Sequence, residues 1–250
     1  MSQAPPEIVV APDPDAVADE AARRFADAAR AAVRARGAFH VALSGGSTPQ
    51  RFHARLATDP AYASLPWAET HVYFGDERCV PPDHEDSNFR MAREALLSRV
   101  PVPTDQVHRM EGEDPQPRHA AQRYEARLRG AMPHGAGEIP HFDLVWLGLG
   151  ADGHTASLFP GTEALDETAR LVIAPWANAV EAYRLTLTLP VLNAARAVIF
   201  VVEGKGKAGV VRRVLAPRDG EPVLPAARVR PHTGACAWLL DTAAASALGS

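Results

Sequence analysis

FDLVWLGLGADGHTASLFPG, residues 142–161, carries the clearest passage from strand to site in the sequence. Phe142 to Leu147 is an apolar run with the length of a buried strand. It breaks into glycines at Gly148, Gly150 and Gly153, with one carboxylate, Asp152, and one imidazole, His154, between and after them. In an open α/β sheet, ligands bind in the crevice beyond the carboxyl ends of the strands. A strand ending in small residues followed at once by Asp and His sets titratable groups at such an edge. Histidine exchanges a proton near neutral pH, which makes His154, with Asp152, the first candidate for chemistry. The plainer alternative is a tight turn at Gly148 and Gly150, with Asp152 capping a helix that begins near Thr155.

Working outward, strands and helices alternate along the chain. Glu7 to Ala11 reads as a strand, and Asp15 to Arg36 as a long helix with an alanine-rich inner face, stopped at Gly37. Phe39 to Leu43 is a second strand that runs straight into SGGSTPQ, residues 44–50. Gly45 and Gly46 free the backbone for close approach to a ligand, Ser47 or Thr48 can cap the next helix, and Pro49 suits its first turn. Strand, glycine loop and helix N-terminus together receive a phosphate, because free amide donors and the helix dipole point outward. The Lys-Ser/Thr end of a P-loop and the third glycine of a dinucleotide fingerprint are both missing. A small phosphorylated molecule is therefore indicated, rather than a nucleotide; a plain strand-to-helix turn is the competing reading.

His71 to Gly75 is a third strand, followed by Asp76, Glu77 and Arg78. Three charges there belong on the surface or along a cleft, since burying them unpaired is costly. Arg78 can clamp a phosphate or carboxylate with its planar fork, and Cys79 reads as packing. Residues 80–88 form a polar loop; Asp86, Ser87 or Asn88 can cap a helix reaching about Arg99. A proline-punctuated loop over 100–117 and a helix over about 118–130 precede the central strand. Leu171 to Ala174 is a short strand. Tyr183 to Leu189 alternates, with Arg184, Thr186 and Thr188 on a polar face, and ends at Pro190 before a short helix. Ala197 to Val202 is a buried strand, residues 203–207 open a helix to about Leu215, and Ala235 to Leu240 is the last strand. The alternation predicts an α/β fold with a largely parallel, Rossmann-like sheet covered by helices on both faces, in a single domain spanning 1–250.

The chain has 250 residues, 46% hydrophobic and 22% charged, as expected of a globular protein. Its net charge of −4 argues against a general nucleic-acid binder. No apolar run is long enough to cross a bilayer, and MSQAPPEIVV lacks the basic start and apolar core of a secretory signal, so the cytoplasm is the expected compartment. Two cysteines cannot build a disulfide framework or a zinc site. The only lysines are Lys205 and Lys207, a pair that either serves an ammonium-requiring site or stands by chance at a solvated helix start.

VALSGGSTP at 41–49, FGDER at 74–78, SNFRMA at 87–92, GLGADGHTASLFPG at 148–161, RLTLTLPVLNAAR at 184–196 and VEGKGKA at 202–208 together resemble the 6-phosphogluconolactonases. SGGSTP is shared with a wider sugar-phosphate superfamily, whereas GADGHTASLFPG with GDER is far more specific. The glucosamine-6-phosphate deaminases are the rival within that superfamily. Their pattern after the third strand is Met-Asp-Glu-Tyr, against Gly75-Asp76-Glu77-Arg78 here. Their Asn-Glu-Pro, whose Glu takes part in ring opening, is replaced here by Leu158, Phe159 and Pro160.

The resemblance implies hydrolysis of 6-phospho-D-glucono-1,5-lactone without a cofactor or metal, with glucose-6-phosphate dehydrogenase as a functional neighbour but no stable complex. It implies His154 as general base on the attacking water, with Asp152 either orienting the imidazole or favouring its charged form. It also implies substrate contacts from Ser44, Gly45, Gly46, Ser47, Thr48, Arg78 and Lys207, the last rather than Lys205. A helix N-terminus with cations would serve the phosphate and an arginine nearer C1 the oxyanion, with the choice of cation for each end left open between Arg78 and Lys207. Arg184 is a further candidate contact, with a solvated arginine as its alternative. A sugar-phosphate-binding module that has lost the chemistry is the reading from another functional class.

Overall fold

The computed structural model describes residues 5–249. In chain order the elements are β1 (Glu7–Ala11), α1 (Pro14–Arg36), β2 (Phe39–Leu43), α2 (Ser47–Thr58), β3 (Thr70–Phe74), β4 (Asp76–Arg78), α3 (Asn88–Ala92) and α4 (Pro117–Ala131). There follow β5 (Leu144–Leu147), β6 (Val172–Ile173), β7 (Trp176–Ala177), β8 (Ala182–Leu187), α5 (Leu189–Ala194), β9 (Ala197–Val202), α6 (Ala208–Leu215), β10 (Ala235–Asp241) and α7 (Thr242–Ala245).

Six strands form one sheet in the order β1-β10-β9-β5-β2-β3, and every pairing in it is parallel. Strands buried on both faces need to be apolar throughout, and β2, β5 and most of β9 are buried along their whole length. From β2 the chain first adds β3 on one side and later β5 on the other. Such a reversal opens a crevice between the carboxyl ends of the two strands. The loops after β2, β5 and β9 all emerge at this edge.

α1 starts where the Asp13 carboxylate accepts from Ala16 N at 2.8 Å, and it stops at Gly37, whose φ of 79° favours glycine. Its alanines allow close contact with the sheet, and Phe25 is wholly buried edge-on to Phe39, with ring centroids 5.3 Å apart. Burying such a ring contributes roughly 2–3 kcal/mol. At the opposite end of the sheet from the crevice, the buried Asp143 carboxylate accepts from His40 N at 2.8 Å and pairs with Arg36 at 2.8 Å and Arg196 at 3.4 Å. Its ligands come from the end of α1, from β2 and from the segment before β9, so the satisfied carboxylate ties those elements together.

Several local expectations are corrected. The three charges after the third strand, Asp76–Arg78, form a strand that the sequence did not indicate: β4 pairs antiparallel with β8, setting Glu77 opposite Leu185 and Arg78 opposite Arg184, in a second sheet of order β4-β8-β6 with β7 also on β8. On the polar face of Tyr183 to Leu189, Thr186 and Thr188 are fully buried and bonded to protein groups. That strand ends at Leu187, and Pro190 lies in the first turn of α5 rather than before it. No helix begins near Thr155; a bridge between Thr155 and Leu158 closes a turn instead. Ser87 caps α3 by accepting from Arg90 N, and the helix widens into π-type bonding over Arg93–Leu97 before reaching Arg99. Neither Ser47 nor Thr48 caps α2: its N-cap is Gly46, at φ 109°. Residues 205–207 form a 3₁₀ turn ahead of α6.

Candidate active site

A cavity of about 410 Å³ opens at the crevice. Ser44, Gly45, Gly46, Ser47 and Thr48 form one wall, the Gly148–Ala151 turn and His154 another, and Arg78 and Lys207 complete it. Eight of the ten residues singled out in the sequence thus meet in one space. Asp152 lies behind His154 and is hydrogen-bonded to it, while Arg184 is outside the lining. Arg184 stands beside Arg78 across the strand pair, and burial together with the Arg78 charge lowers its pKa.

At the β2 end the loop presents α2 amides. Among the described residues, no side chain caps this helix, so its first-turn donors face the cavity without an internal acceptor. Gly45 is required here for space: a Cβ would stand 1.6 Å from Asn88 Oδ1. An uncapped N-terminus with close backbone approach suits an anion.

At the β5 end His154 is held by three contacts. Its Nδ1 lies 2.6 Å from Asp152 Oδ1, its backbone N–H donates to the same oxygen at 3.1 Å, and its ring rests on Phe159 with centroids 4.4 Å apart. Burial raises the pKa of Asp152, but the backbone bond and charge of His154 outweigh it and hold the carboxyl below its usual range. An ionised Asp152 accepts a hydrogen bond from Nδ1–H, which leaves Nε2 as the proton acceptor.

Arg78 is fixed from behind. Its Nη1 donates to Asp86 O at 2.8 Å and to Asn88 Oδ1. Asn88 Nδ2 in turn donates to Asp76 O at 2.8 Å and reaches Asp76 Oδ1 at 3.2 Å, and Ser157 Oγ donates to Asp76 Oδ2 at 2.7 Å. Glu77 points the other way and is only 2% exposed. Its carboxylate accepts from the backbone N–H groups of Arg78, Asn88 and Phe89 and from Ser87 Oγ, at 2.8–3.1 Å. Burial raises its pKa against the pull of those donors.

Lys207 Nζ donates to Leu149 O at 2.8 Å, which joins the β9 loop to the β5 turn. The backbone of that loop is anchored at Gly204, whose N–H donates to both carboxylate oxygens of Asp241 at 3.0 Å. Lys205 does not line the cavity. Among the described residues there is no group of three or more His, Cys, Asp or Glu arranged to hold a metal ion.

Three lining groups were not singled out as site residues from the sequence: Asp76, Asn88 and Glu203. Each follows or faces the end of a strand. Asp76 and Glu203 directly follow the third strand and β9, so their positions after buried runs were the signal available.

The family described as "Glucosamine-6-phosphate isomerases/6-phosphogluconolactonase" matches residues 12–238. The chain belongs to this family. Among its members, a human 6-phosphogluconolactonase is 47% identical over 219 residues, covering 86% of this chain and 82% of the relative. One from Nostoc sp. is 43% identical over 217 residues, covering 87% and 88%. A solved 6-phosphogluconolactonase from Trypanosoma cruzi, 31% identical, superposes with a TM-score of 0.87 over 100% of this chain and 99% of its own. A monomeric glucosamine-6-phosphate deaminase shares the fold of the family, with a TM-score of 0.78 at 19% identity.

Proposed function

We infer that the protein hydrolyses 6-phospho-D-glucono-1,5-lactone to 6-phospho-D-gluconate, a step of the oxidative pentose phosphate pathway. The observation that carries this reading is the shared cavity. An imidazole oriented by a carboxylate opens into the same space as an uncapped helix N-terminus and two cations. The activity of the relatives named above supports it.

The lactone is a cyclic ester with a phosphate at the far end. His154 Nε2 takes a proton from the attacking water and later returns it to the ring oxygen that leaves C1, help worth ~10²–10⁴-fold in rate. The negative charge developing on the carbonyl oxygen is met by Arg78, held in place by Asn88 and Asp86 O. The α2 amides, with the 44–48 loop, receive the phosphate, and Lys207, held against Leu149 O, adds a second cation to the cavity. Arg184 is left as an outer charge behind Arg78. Phe159 stands where the deaminases carry the Glu of Asn-Glu-Pro, so the group next to the imidazole is a ring rather than a second acid. This favours ester hydrolysis over deamination. The chain works as one domain, with no cofactor, in the cytoplasm. Among the described residues no helix is long and apolar enough to cross a membrane.

The test is acceleration of lactone loss over its spontaneous background. The lactone is generated in situ from glucose 6-phosphate by its dehydrogenase, and ammonia release from glucosamine 6-phosphate is measured alongside. Acceleration that disappears in His154→Ala, with no ammonia, supports the reading. Saturable binding of a sugar phosphate without turnover would leave a binding module.

A further inference from the structure

We propose that Glu203 is a proton-linked residue of the phosphate end: it occupies the Thr48 hydroxyl in the empty site and takes up one proton from solvent when a phosphate dianion arrives. This rests on the reading above, in which the α2 N-terminus receives the phosphate.

Glu203 follows β9 directly and lines the cavity beside Thr48. Thr48 Oγ1 donates to Glu203 Oε2 at 3.3 Å, so a hydroxyl in the first turn of α2 is spent on a carboxylate of the protein. The other carboxylate oxygen, Oε1, is buried with no hydrogen-bond partner. Its neighbouring cation is the half-exposed Arg51 of α2, whose Nε stands 3.7 Å from Oε2. The remaining charged groups around it are Asp15 of α1 and Asp241 of β10, both acidic, and, lining the same cavity, Asp76, Arg78, His154 and Lys207. Burial already holds the Glu203 carboxyl above the usual carboxylate range, against the pull of Arg51 and Thr48. Asp76, the other carboxylate of the lining, is in contrast bonded to both Ser157 and Asn88.

A dianion placed on the α2 amides competes for the Thr48 hydroxyl and repels the one poorly bonded carboxylate nearby. Protonation removes that repulsion and turns Glu203 from an acceptor into a donor, which can bond the phosphate or Thr48. One linked proton makes affinity fall by up to tenfold for each pH unit between the pKa of the free group and that of the group in the complex.

The experiment is calorimetric titration with 6-phosphogluconate at pH 7 and pH 8, each in two buffers of different ionisation enthalpy, on the wild type, Glu203→Gln and His154→Gln. The wild type is expected to take up about one proton at pH 8 and to bind about tenfold more weakly there than at pH 7. Glu203→Gln is expected to take up none, to vary less than threefold, and to bind at least tenfold more tightly than wild type at pH 8. His154→Gln is expected to keep the uptake. Wild-type binding without proton uptake overturns the inference alone, even if Glu203→Gln does not fold, as does uptake that vanishes in His154→Gln. No binding at millimolar ligand overturns the reading of the site itself.

Discussion

Gly150 and His154 share one space. A Cβ on Gly150 would stand 2.1 Å from His154 Nδ1 and 2.7 Å from Asp152 Oδ1, while the backbone closes the same turn through Gly150 N donating to His154 O at 2.8 Å. The imidazole position is therefore set by a missing side chain as much as by the carboxylate. In Gly150→Ala the obstacle meets a side chain that can swing away, so the fold should survive with a stability loss below about 1 kcal/mol. Turnover should fall about 100-fold, because a catalytic group displaced by an ångström loses its alignment. Thermal unfolding beside kcat measures both; a variant that keeps full activity would contradict the placement.

Asp152→Asn tests the carboxylate separately. The ionised carboxyl fixes the proton on Nδ1, and an amide can offer its NH₂ to the same nitrogen and fix the wrong tautomer. We expect kcat to drop about 10–100-fold with KM changed less than threefold, while His154→Ala loses at least as much. Since Asp152 is held below its usual range, its own protonation should not appear in the wild-type rate profile above about pH 4.

Asn88→Ala should loosen Arg78 without removing it. The amide links Arg78 to Asp76 and fills the space beside Gly45. Losing a buried, doubly bonded amide costs about 1–3 kcal/mol of stability. We expect kcat/KM to fall roughly tenfold, with part of the loss recovered in Asn88→Asp, which keeps the acceptor toward Arg78. Steady-state kinetics and urea unfolding separate the two effects.

The parallel sheet and the two glycine loops were legible in the sequence because buried strands are apolar runs and their ends are glycines. Asp152, His154 and the 44–48 loop followed from those ends. β4 was not legible, since Asp, Glu and Arg have low strand preference. Glu77 is tolerable in the interior because the backbone N–H groups of its neighbour Arg78 and of Asn88 and Phe89, at the start of α3, converge on it. The same holds for Thr186 and Thr188: alternation puts them on a polar face, but it does not show that the face is buried, with Ser157 N and the Arg170 and Leu171 carbonyls, all distant in sequence, as their partners. Asn88 looked like a helix cap and is instead the brace of Arg78, a role visible only once β3, β4 and α3 are folded together.

Acid should unfold the protein through its histidines. Burial pushes His40 and His108 down to about 4 and His53 to about 3, and lowers His71 as well. His40 stacks on His71 with centroids 4.8 Å apart, and His71 Nδ1 lies 3.2 Å from His108 Nε2. Around them stand Arg36, Arg127, Asp105 and Tyr73. In the unfolded chain these rings gain a proton near the ordinary value of 6.5. The unfolded state therefore binds more protons as pH falls, so stability is complete above about pH 6.5 and is lost progressively toward pH 4. His40 and His108 should each account for on the order of 2–3 kcal/mol of that loss, less than additively. Urea unfolding at pH 7 and pH 4.5 measures it. His53 has neither ring nitrogen bonded, so His53→Leu should raise stability by about 1 kcal/mol at pH 7 and by more at pH 4.5.

The position of β10 between β1 and β9 bears on how the protein is made. β1 precedes the other strands, yet among the described residues its one partner in the sheet is β10, more than two hundred positions later. A ribosome therefore releases β1 and the inner face of α1 long before their neighbour exists. The same late strand ends in Asp241, which fixes Gly204 and with it the loop that carries Lys207. A nascent chain can assemble β2, β3, β5 and β9 early, but the anchor of the Lys207 loop is made only with β10, after every other strand of the sheet. Synthesis itself thus delays completion of the site until the sheet is closed.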